Sequence, residues 1–349
     1  MVVPRNKDID YCIAPESLAI WFSAFAELSA NDRTFHIGEK SAGSDVIKMG
    51  IGFRGSNIQK VVILSSHESL LRDLDLAELL RKRGTEVDSQ TPEATMVGLD
   101  KVKFKEVLDA LGVATPAWGH LSSLSSTGSG ILLKMRNGTQ SRGIRWFDGV
   151  KPKYEHEWYW EEFVSGCEYS VVAYAGSSSV SFLPLVSKGE TQFDLMPPWR
   201  RLRICPDPEL SNELEDKLIE ATRRVIEFFD IWGFVELEFV VDCKGRAFLL
   251  EINPRVCGTL RIAAMACNIK VFNFFNADDS RLPCRFPARR QALEAPYDGV
   301  PFVSEDLRVI ASSRITIAAE SCAELIELAR TELGGQNEIL SLAAKRLGV

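Results

Sequence analysis

The segment from Gly233 to Gly258 constrains the fold of this chain most, because its sequence is typical of two strands joined by a tight turn. Val235–Val241 and Ala247–Ile252 are rich in β-branched and aromatic residues. Between them, residues 242–245 have the composition of a turn. A β-hairpin is therefore predicted here.

Charged side chains collect on one face of the predicted hairpin. Residues alternate between the two faces of a strand, so Glu236 and Glu238 point away from the apolar side chains of their strand. If the hairpin closes symmetrically about its turn, Glu238 lies opposite Leu249, and Glu251 and Asn253 share its face. Carboxylates that meet in this way raise one another's pKa and destabilise the strand pair.

A cation between these groups would remove the repulsion. The face offers only oxygen ligands, which suit Mg²⁺ or Mn²⁺ better than zinc. The Asn-Pro-Arg sequence that ends the strand places Arg255 beside the site. The alternative is an edge hairpin whose charges face water, and the apolar flanks of the segment disfavour it.

Composition restricts the class of protein. The chain has 349 residues, of which 46% are hydrophobic and 26% charged, so two or three packed domains are expected. The net charge of −7 disfavours nucleic acid as a partner. The eight cysteines form no C-x-x-C pair, and no secretion signal or membrane-spanning apolar run is evident. We expect a cytoplasmic protein with reduced thiols and no membrane partner.

Residues 1–95 alternate between strand-like and helix-like segments, which predicts a small α/β layer. Ile9–Ile13 is typical of a short strand, and a helix is expected from Pro15 to about Ser29. Residues 59–65 form an apolar run typical of a buried parallel strand, and a helix is expected over 68–83.

Gly50, Gly52 and Gly55 match the G-x-G-x-x-G pattern of dinucleotide-binding turns. Such a turn leads from a strand into a helix, whereas a strand is predicted directly after this motif. We therefore interpret the motif as a loop and not as a nucleotide site.

Two lysines occupy positions that do not favour a cation. Asp100 is typical of a helix N-cap, so Lys101 begins a helix, where the helix dipole opposes a positive charge. Lys101 is thus either solvated or held for an anion. Lys134 lies within the apolar strand-like run Ile131–Met135 and must extend to solvent or find a partner.

Residues 136–143 form a predicted loop with small and hydrogen-bond-donating side chains. Such a loop can fold its backbone amides over phosphates, although an ordinary hairpin turn has a similar sequence. Further on, a break at 165–166 separates two strand-like runs, and an extended hinge of this kind can bind a purine edge, with Glu168 near the sugar. Judged alone, Glu161 and Glu162 are interpreted as surface residues.

Residues 187–205 are interpreted as a loop-like insert that carries Arg200, Arg201 and Arg203. These arginines could clamp a phosphate or a carboxylate, and a solvated basic patch fits the sequence equally well. After the hairpin, a helix is expected from Thr259 to Cys267, and residues 276–301 are expected to be irregular.

Four segments in this order make the chain resemble the ATP-grasp superfamily, over residues 96 to about 275. They are GLDKVKFKEVLDALGVATP, ILLKMRNGTQSRGI, WEEFVSGCEYSV and ELEFVVDCKGRAFLLEINPR. The last is most similar to the carbamoyl-phosphate-synthase-like and D-alanine-ligase-like branches. The resemblance implies an α/β (α+β) fold in which two subdomains clamp ATP. The implied parts are an N-terminal α/β domain at 1–95, a small subdomain at 96–165, a large subdomain at 166–275 and a C-terminal extension at 276–349.

The resemblance also implies roles in nucleotide binding. Lys101 and Lys134 would hold the phosphates of ATP, beneath a covering loop that includes Ser141 and Gly143. The residues implied to meet adenine and ribose are Glu161, Glu162, Val164 and Glu168.

For the metal and the chemistry, the resemblance implies a second group. Arg255 would face the transferred phosphate, and the amide of Gly258 would help an oxyanion. Arg203 of the basic insert is a third catalytic candidate. The implied ligands of Mg²⁺ or Mn²⁺ are Glu238, Glu251 and Asn253. Glu236 has no implied role and is interpreted as supporting the ligands or facing the substrate.

Two departures from the family pattern concern the covering loop. Met135 stands where relatives usually have proline, and the loop is poor in glycine and carries Arg136 and Arg142. Both leave the closure of this loop open.

The implied activity is ATP-dependent ligation of a small carboxylate, with an amino acid as one candidate, to an amine. It would proceed through an acyl phosphate and release ADP and phosphate. The alternatives are a nucleotide-binding module without turnover, and a carboxylase or phosphotransferase on the same fold. The expected partners are small-molecule carboxylate and amine substrates, and a homodimer is left open.

Overall fold

A computed structural model describes residues 60–124, 130–139, 141, 143–197, 200–269, 271, 274, 281–297, 313–334 and 337–349. It also describes the backbone of four strands outside these ranges, at 11–15, 34–37, 302–304 and 308–311. The predicted helix after Pro15, the glycine motif at 50–55 and Arg142 lie outside the described residues.

Strands dominate the described part of the chain. They are β1 Tyr11–Pro15, β2 Thr34–Ile37, β3 Lys60–Ile63, β4 Glu86–Asp88, β5 Trp118–His120, β6 Ile131–Met135, β7 Ile144–Trp146, β8 Trp158–Glu162, β9 Gly166–Ala175, β10 Val180–Phe182, β11 Val186–Glu190, β12 Arg203–Cys205, β13 Gly233–Asp242, β14 Ala247–Asn253, β15 Gln291–Pro296, β16 Phe302–Ser304, β17 Arg308–Ala311 and β18 Arg314–Ala319.

Helices connect and cover these strands. They are α1 Leu70–Arg81, α2 Pro92–Leu99, α3 Lys101–Leu111, α4 Asn212–Phe228, α5 Gly258–Cys267, α6 Cys322–Leu333 and α7 Asn337–Leu347. Among the described residues, no helix combines the length and apolar character that crossing a bilayer requires.

Four parallel strands form the first sheet, in the order β2-β1-β3-β4. β3 is buried along its whole length, because it is a central strand whose neighbours pair on both edges. This confirms the buried parallel strand that the apolar run at 59–65 predicts.

Four antiparallel strands form the second sheet, in the order β5-β8-β6-β7. α3 comes before it and begins where the side chain of Asp100 accepts hydrogen bonds from the amides of Val102 and Lys103. The helix ends at Gly112, whose φ of 62° lies in the left-handed region that glycine adopts readily. The predicted N-cap at Asp100 is thus confirmed.

The third sheet contains most of the remaining strands, in the order β14-β13-β9-β11-β12-β15-β18-β17-β16, with β10 paired to β9. Its central strand β9 alternates between two apolar cores. Val172 and Tyr174 pack with the residues of α5. Val171 and Ala173 pack on the other face with residues of α3 and α4. The period of two along β9 therefore separates two layers that are each covered by helix.

Two expectations about irregular segments are wrong. Residues 276–301 were expected to lack regular structure, but β15 is a central strand of the large sheet. Residues 187–205 were expected to form a loop, but β11 and β12 lie within or across this range and join the same sheet. Both segments contain charged residues that are unusual in central strands, and their burial depends on partners distant in sequence.

Candidate active site

A cleft lies between the second and third sheets. Its volume is about 930 Å³, counting the space that opens to solvent. The wall from the second sheet includes Leu132 and Ile144, and Leu250 contributes from β14. A cleft of this size with apolar walls and a few charged groups is typical of a small-molecule site. The predicted site residues that line it are Lys101, Lys134, Ser141, Glu161, Glu162, Val164, Glu168, Glu238 and Glu251.

The hairpin at one wall of the cleft has a register different from the predicted one. Glu238 pairs with Glu251, and Glu236 pairs with Asn253, whereas Phe239 pairs with Leu249. The prediction that Glu238 lies opposite Leu249 is therefore wrong. Two shifts of one residue each account for the difference. The turn pairs Phe239 with Leu249, so a regular strand would bring Glu238 opposite Leu250. A β-bulge then leaves one residue of β14 without a partner and moves Glu238 on to Glu251.

The bulge changes which side chains of β14 share a face. Leu249 and Ile252 are three residues apart, yet both belong to the apolar core that also contains Leu237 and Phe239. A regular strand would place residues three apart on opposite faces. The extra residue therefore lets Glu251 face Glu238 directly while both apolar neighbours stay buried.

The two facing carboxylates carry opposite pKa shifts. Burial raises the pKa of Glu238, and the nearby carboxylates of Glu251 and Glu236 raise it further. Burial also acts on Glu251, but the ammonium groups of Lys101 and Lys188 outweigh it and lower the pKa of Glu251. The pair thus has more negative charge than it can hold without cations.

Lysines neutralise this pair in the structure. Lys101 contacts Oε2 of Glu251, and Nζ of Lys188 lies 2.5 Å from Oε2 of Glu238. Asn253 completes the group, because its Nδ2 donates to Oε1 of Glu238 at 3.3 Å. Among the described residues, no cluster of three or more His, Cys, Asp or Glu has metal-binding spacing. Two carboxylates and an amide nevertheless form an oxygen donor set that fits Mg²⁺.

Glu236 is buried next to this group and orients it through hydrogen bonds. It is 4% exposed and accepts hydrogen bonds from Ser170 at 2.7 Å and from the hydroxyl of Thr259. Its other oxygen accepts from Nδ2 of Asn253 at 3.1 Å. Both oxygens of Glu236 are therefore occupied, and they orient Asn253 and the first turn of α5.

Glu161 is a buried residue, and its interpretation as a surface residue is wrong. Its side chain is 1% exposed, and it contacts Lys134 from β6 and Lys105 from α3. Nζ of Lys105 lies 2.6 Å from Oε2 of Glu161, so the two side chains form an ion pair. Lys134 therefore finds a partner and does not extend to solvent. Glu162, the next residue on the strand, is exposed.

Burial also sets the pKa values of these lysines. It lowers the pKa of Lys105 to about 8, although Glu161 opposes the shift. For Lys134, burial acts in the same direction, but the carboxylate of Glu161 outweighs it and raises the pKa. Lys134 is therefore the more firmly protonated of the two cations at the cleft.

The covering loop begins with an ion pair. Nη2 of Arg136 lies 2.6 Å from Oδ2 of Asp100, so this arginine ties the loop to the start of α3. Gly143 has a φ of 75°, and a Cβ at this position would lie 2.5 Å from Sδ of Met135. The positive φ therefore favours glycine at position 143, and a larger residue there would also require the Met135 side chain to move.

The hinge at the other end of the cleft holds Glu168. This residue is 8% exposed, and its Oε1 accepts from Nη2 of Arg201 at 2.9 Å. Phe163 and Val164 line the cleft beside it. The basic insert thus contributes one arginine directly to the cleft.

The remaining predicted residues lie beyond the face that carries Glu238, Glu251 and Asn253. Nη2 of Arg255 donates to Oδ1 of Asn253 at 3.1 Å. Gly258 begins α5 and is exposed. Arg203 is not part of a loop, because it lies in β12, is 8% exposed and donates to Glu294 at 2.7 Å.

Sequence reasoning missed Lys105 and Lys188. Lys105 follows Lys101 by one helical turn and lies on the same face, which is a signal that could have been used. Lys188 is 1% exposed because a second bulge, between Ser187 and Gly189, leaves it without a strand partner. Gly189, whose φ is 81°, is the sequence signal of that bulge, because an isolated glycine within a strand indicates one.

The chain is similar to known proteins in both sequence and fold. Residues 99–259 match a family described as an ATP-grasp domain. D-alanine–D-alanine ligase B of Pseudomonas putida is 24% identical over 243 residues, which cover 61% of this chain and 74% of that protein. The carbamoyl-phosphate synthase of Methanobrevibacter smithii is 24% identical over 229 residues, covering 61% of each chain.

Solved structures are similar over nearly the whole chain. The L-amino acid ligase from Bacillus licheniformis has a TM-score of 0.67 at 15% identity, covering 93% of this chain and 97% of that one. The N5-carboxyaminoimidazole ribonucleotide synthetase from Thermotoga maritima has a TM-score of 0.64 at 16% identity, covering 97% and 98%. At such identities the similarity establishes a shared fold.

Proposed function

We propose that this chain, whose residues 99–259 match the ATP-grasp domain family, is an ATP-dependent ligase that joins a small carboxylate to an amine. One observation carries the proposal. The bulge in β14 sets Glu251 directly opposite Glu238, at the edge of a cleft whose walls present Lys101 and Lys134.

We propose that the cleft binds ATP with its base near the hinge. Leu132, Ile144 and Leu250 offer apolar surface for a purine, and backbone groups at Glu162 and Val164 lie at the same end. Glu168 would accept a hydrogen bond from a ribose hydroxyl in addition to the one it accepts from Nη2 of Arg201. Lys101 and Lys134 would turn from their glutamates toward the phosphates, and Lys188 would join them.

Mg²⁺ fits the oxygen donors Glu238, Glu251 and Asn253, and it would neutralise charge on the transferred phosphoryl group. The lysines that now pair with the two glutamates are point charges on flexible stems. They can therefore exchange a carboxylate for a phosphate without leaving a buried charge unpaired. Glu236 keeps Asn253 oriented during this exchange.

The chemistry needs two displacements. A carboxylate oxygen of the first substrate attacks the γ-phosphorus and ADP leaves, which forms an acyl phosphate. The amine nitrogen then attacks the acyl carbon, and phosphate leaves. Arg255, which donates to Asn253, would stabilise the charge on the transferred group, and the amide of Gly258 at the start of α5 would donate to the oxyanion.

The boundaries 1–95, 96–165, 166–275 and 276–349 remain our proposal for the domains. A homodimer is likewise left as a proposal. A carboxylase is the second candidate, because the biotin carboxylase domain of the Hydrogenobacter thermophilus 2-oxoglutarate carboxylase, solved with MgADP and bicarbonate, has a TM-score of 0.69 at 13% identity over 94% of this chain. A binding module is disfavoured, since a chain without turnover has no need of two opposed carboxylates.

The deciding experiment uses Mg²⁺-ATP, hydroxylamine and a panel of amino acids and other small acids. Hydroxylamine traps an acyl phosphate as a hydroxamate, so ligation predicts ADP and hydroxamate that both depend on the acid. ADP that forms only with bicarbonate would replace the ligase by the carboxylase. ATP binding with no ADP from any acid would leave the binding module.

A further inference from the structure

The large sheet contains a second buried charge cluster, away from the nucleotide cleft. Glu294 lies at its centre and is fully buried. Strand register creates the cluster, because Arg203 of β12 and Thr316 of β18 pair with Glu294 of β15 from its two sides. Arg314 comes from β18, and Arg261 reaches the same carboxylate from α5.

Three guanidinium groups share the single carboxylate. Oε1 of Glu294 accepts from Arg203 at 2.7 Å and from Arg314 at 2.6 Å. Oε2 accepts from Nη2 of Arg261 at 2.6 Å and from Thr316 at 2.8 Å. The three arginines and Glu294 together carry a formal charge of +2. Glu236 offsets part of this charge, because Arg203 is among the groups that lower the pKa of Glu236. The positive charge that remains is shielded from water, which is costly unless a further anion compensates it.

Two donors in this cluster have no acceptor. Nε of Arg203 and Nη1 of Arg314 are buried without a hydrogen-bond partner, and the two residues are 8% and 4% exposed. Burial, together with the charge of Arg203, lowers the pKa of Arg314 to about 10. The cluster thus has both excess positive charge and unused donors, as expected of a site for an anion.

Arg203 is the member of the cluster closest to the reaction centre. Its Nη1 would lie 3.4 Å from a Cβ at Gly258, the exposed first residue of α5. No side chain caps this end of α5. Thr259, the next residue, donates to Glu236, which in turn holds Asn253 of the metal face. Arg203 itself is not among the residues that line the nucleotide cleft.

We propose that Arg203 binds a carboxylate of the amine-bearing substrate, and that Arg261 and Arg314, gathered on Glu294, hold its guanidinium in position. This inference rests on the proposed ligase function. The planar fork of arginine matches a carboxylate, whereas lysines serve the phosphates on the other side of Glu236. The acceptor would therefore be an amino acid with a free carboxyl group, and not a simple amine.

The test compares two acceptors in each protein, an amino acid and its carboxamide. In the unaltered enzyme we expect kcat/KM for the free acid to exceed that for the carboxamide by about 10-fold or more. In Arg203→Gln the ratio should fall toward about one, because the variant cannot pair with the carboxylate. A change in stability alone would affect both acceptors equally and leave the ratio intact.

Two further variants test whether the acid-to-carboxamide ratio depends on the guanidinium group of Arg203. Arg203→Lys keeps the charge and loses the fork, so its ratio should lie between the other two, and it serves if Arg203→Gln does not fold. Arg285→Gln removes an arginine that pairs with Asp216 and is 48% exposed, and its ratio should equal that of the unaltered enzyme. An unchanged ratio in both Arg203 variants would overturn the inference.

Hydroxylamine separates this failure from a failure of the proposed function. It carries no carboxylate, so trapping reports acyl phosphate formation without the acceptor site. Hydroxamate together with an unchanged acid-to-amide ratio would overturn the acceptor site alone. Absence of hydroxamate with every acid would overturn the ligase function itself.

Discussion

The molecule contains two buried networks of charged residues, one in which the cations are lysines and one in which they are arginines. In the nucleotide cleft, Glu161 and Glu251 pair with lysines that line a space open to solvent. In the large sheet, Glu294 holds three arginine groups with no exposure of its own. A lysine is a point charge that can change partners, whereas an arginine fork fixes the geometry of what it binds.

The balance of charge differs as well. In the cleft, Glu161, Glu238 and Glu251 each pair with at least one lysine, so a phosphate can replace a carboxylate as the partner of a lysine without leaving an excess of positive charge. The Glu294 cluster has three guanidinium groups for one carboxylate, and Glu236 near Arg203 offsets part of the excess positive charge, so an added anion would offset the rest. The difference suggests that the lysines of the cleft exchange a carboxylate partner for a phosphate, whereas the arginines around Glu294 keep a fixed arrangement. Substitutions in the two networks, and acid, should therefore affect stability and turnover differently.

Glu294→Gln should have the largest effect on stability. It leaves three buried guanidinium groups without their carboxylate, and breaking a buried pair in this way costs about 3–5 kcal/mol. Urea unfolding measures the change. Glu213→Gln, which breaks the exposed pair with Lys217 on α4, is the matched control and should unfold as the unaltered protein does. Equal stability of the two variants would show that the cluster is not a structural centre.

Glu251→Gln should have the largest effect on turnover. The variant removes half of the opposed carboxylate pair and one partner of Lys101, so we expect ADP formation to fall about 100- to 1000-fold. Glu209→Gln, an exposed change outside the cleft, should retain the unaltered rate. A Glu251→Gln enzyme with normal activity would remove this residue from the metal site.

At acidic pH, the difference in the free energy of unfolding between the unaltered protein and Glu294→Gln should become smaller. Burial opposes ionisation of Glu294, but its arginines outweigh this and depress its pKa below the ordinary 4.5. A depressed folded-state pKa contributes stability that is fully present above 4.5 and is lost as the pH falls below it. The stability gap should therefore narrow by up to about 1.4 kcal/mol per pH unit in that range. A gap that is constant down to the acid transition would contradict an ionised Glu294.

Phe193→Ala should have the smallest effect. Phe193 stacks on Trp146 with ring centroids 6.1 Å apart, and Nε1 of Trp146 donates to its carbonyl at 2.9 Å. This contact joins the β11–β12 connection to the second sheet across the cleft. Loss of an aromatic pair of this kind should raise KM for ATP about 2- to 10-fold with little change in kcat. Phe228→Ala on α4, 55% exposed, is the control, and an equal KM in both variants would remove Phe193 from nucleotide binding.

Local rules predicted much of the scaffold. The caps of α3 at Asp100 and Gly112 follow from short-range hydrogen bonding and backbone preference, and the structure has both. The buried strand β3 follows from its apolar run in the same way. Neither depends on which distant segment packs against it, so the sequence alone was sufficient.

The charged residues show where local rules fail. Glu161 was interpreted as exposed, because its neighbours in sequence do not show that Lys105 and Lys134 converge on it. Glu294 lay in a segment expected to be irregular, and its burial depends on arginines from β12, β18 and α5. A buried charge is tolerated only when its partners are present, and these partners are far away in the sequence.

The amino-acid sequence was sufficient to show that Glu236 and Glu238 share one face of a hairpin, because the alternation of side chains along a strand is a property of the backbone. The pairing of Glu238 with Glu251 became visible only in the folded sheet, since the bulge in β14 changes the register by one residue. A second bulge decided that Lys188 meets Glu238. Gly189 indicates the second bulge locally, but the partner that Lys188 meets is on a strand distant in sequence, and the register of β14 depends on packing across the whole sheet.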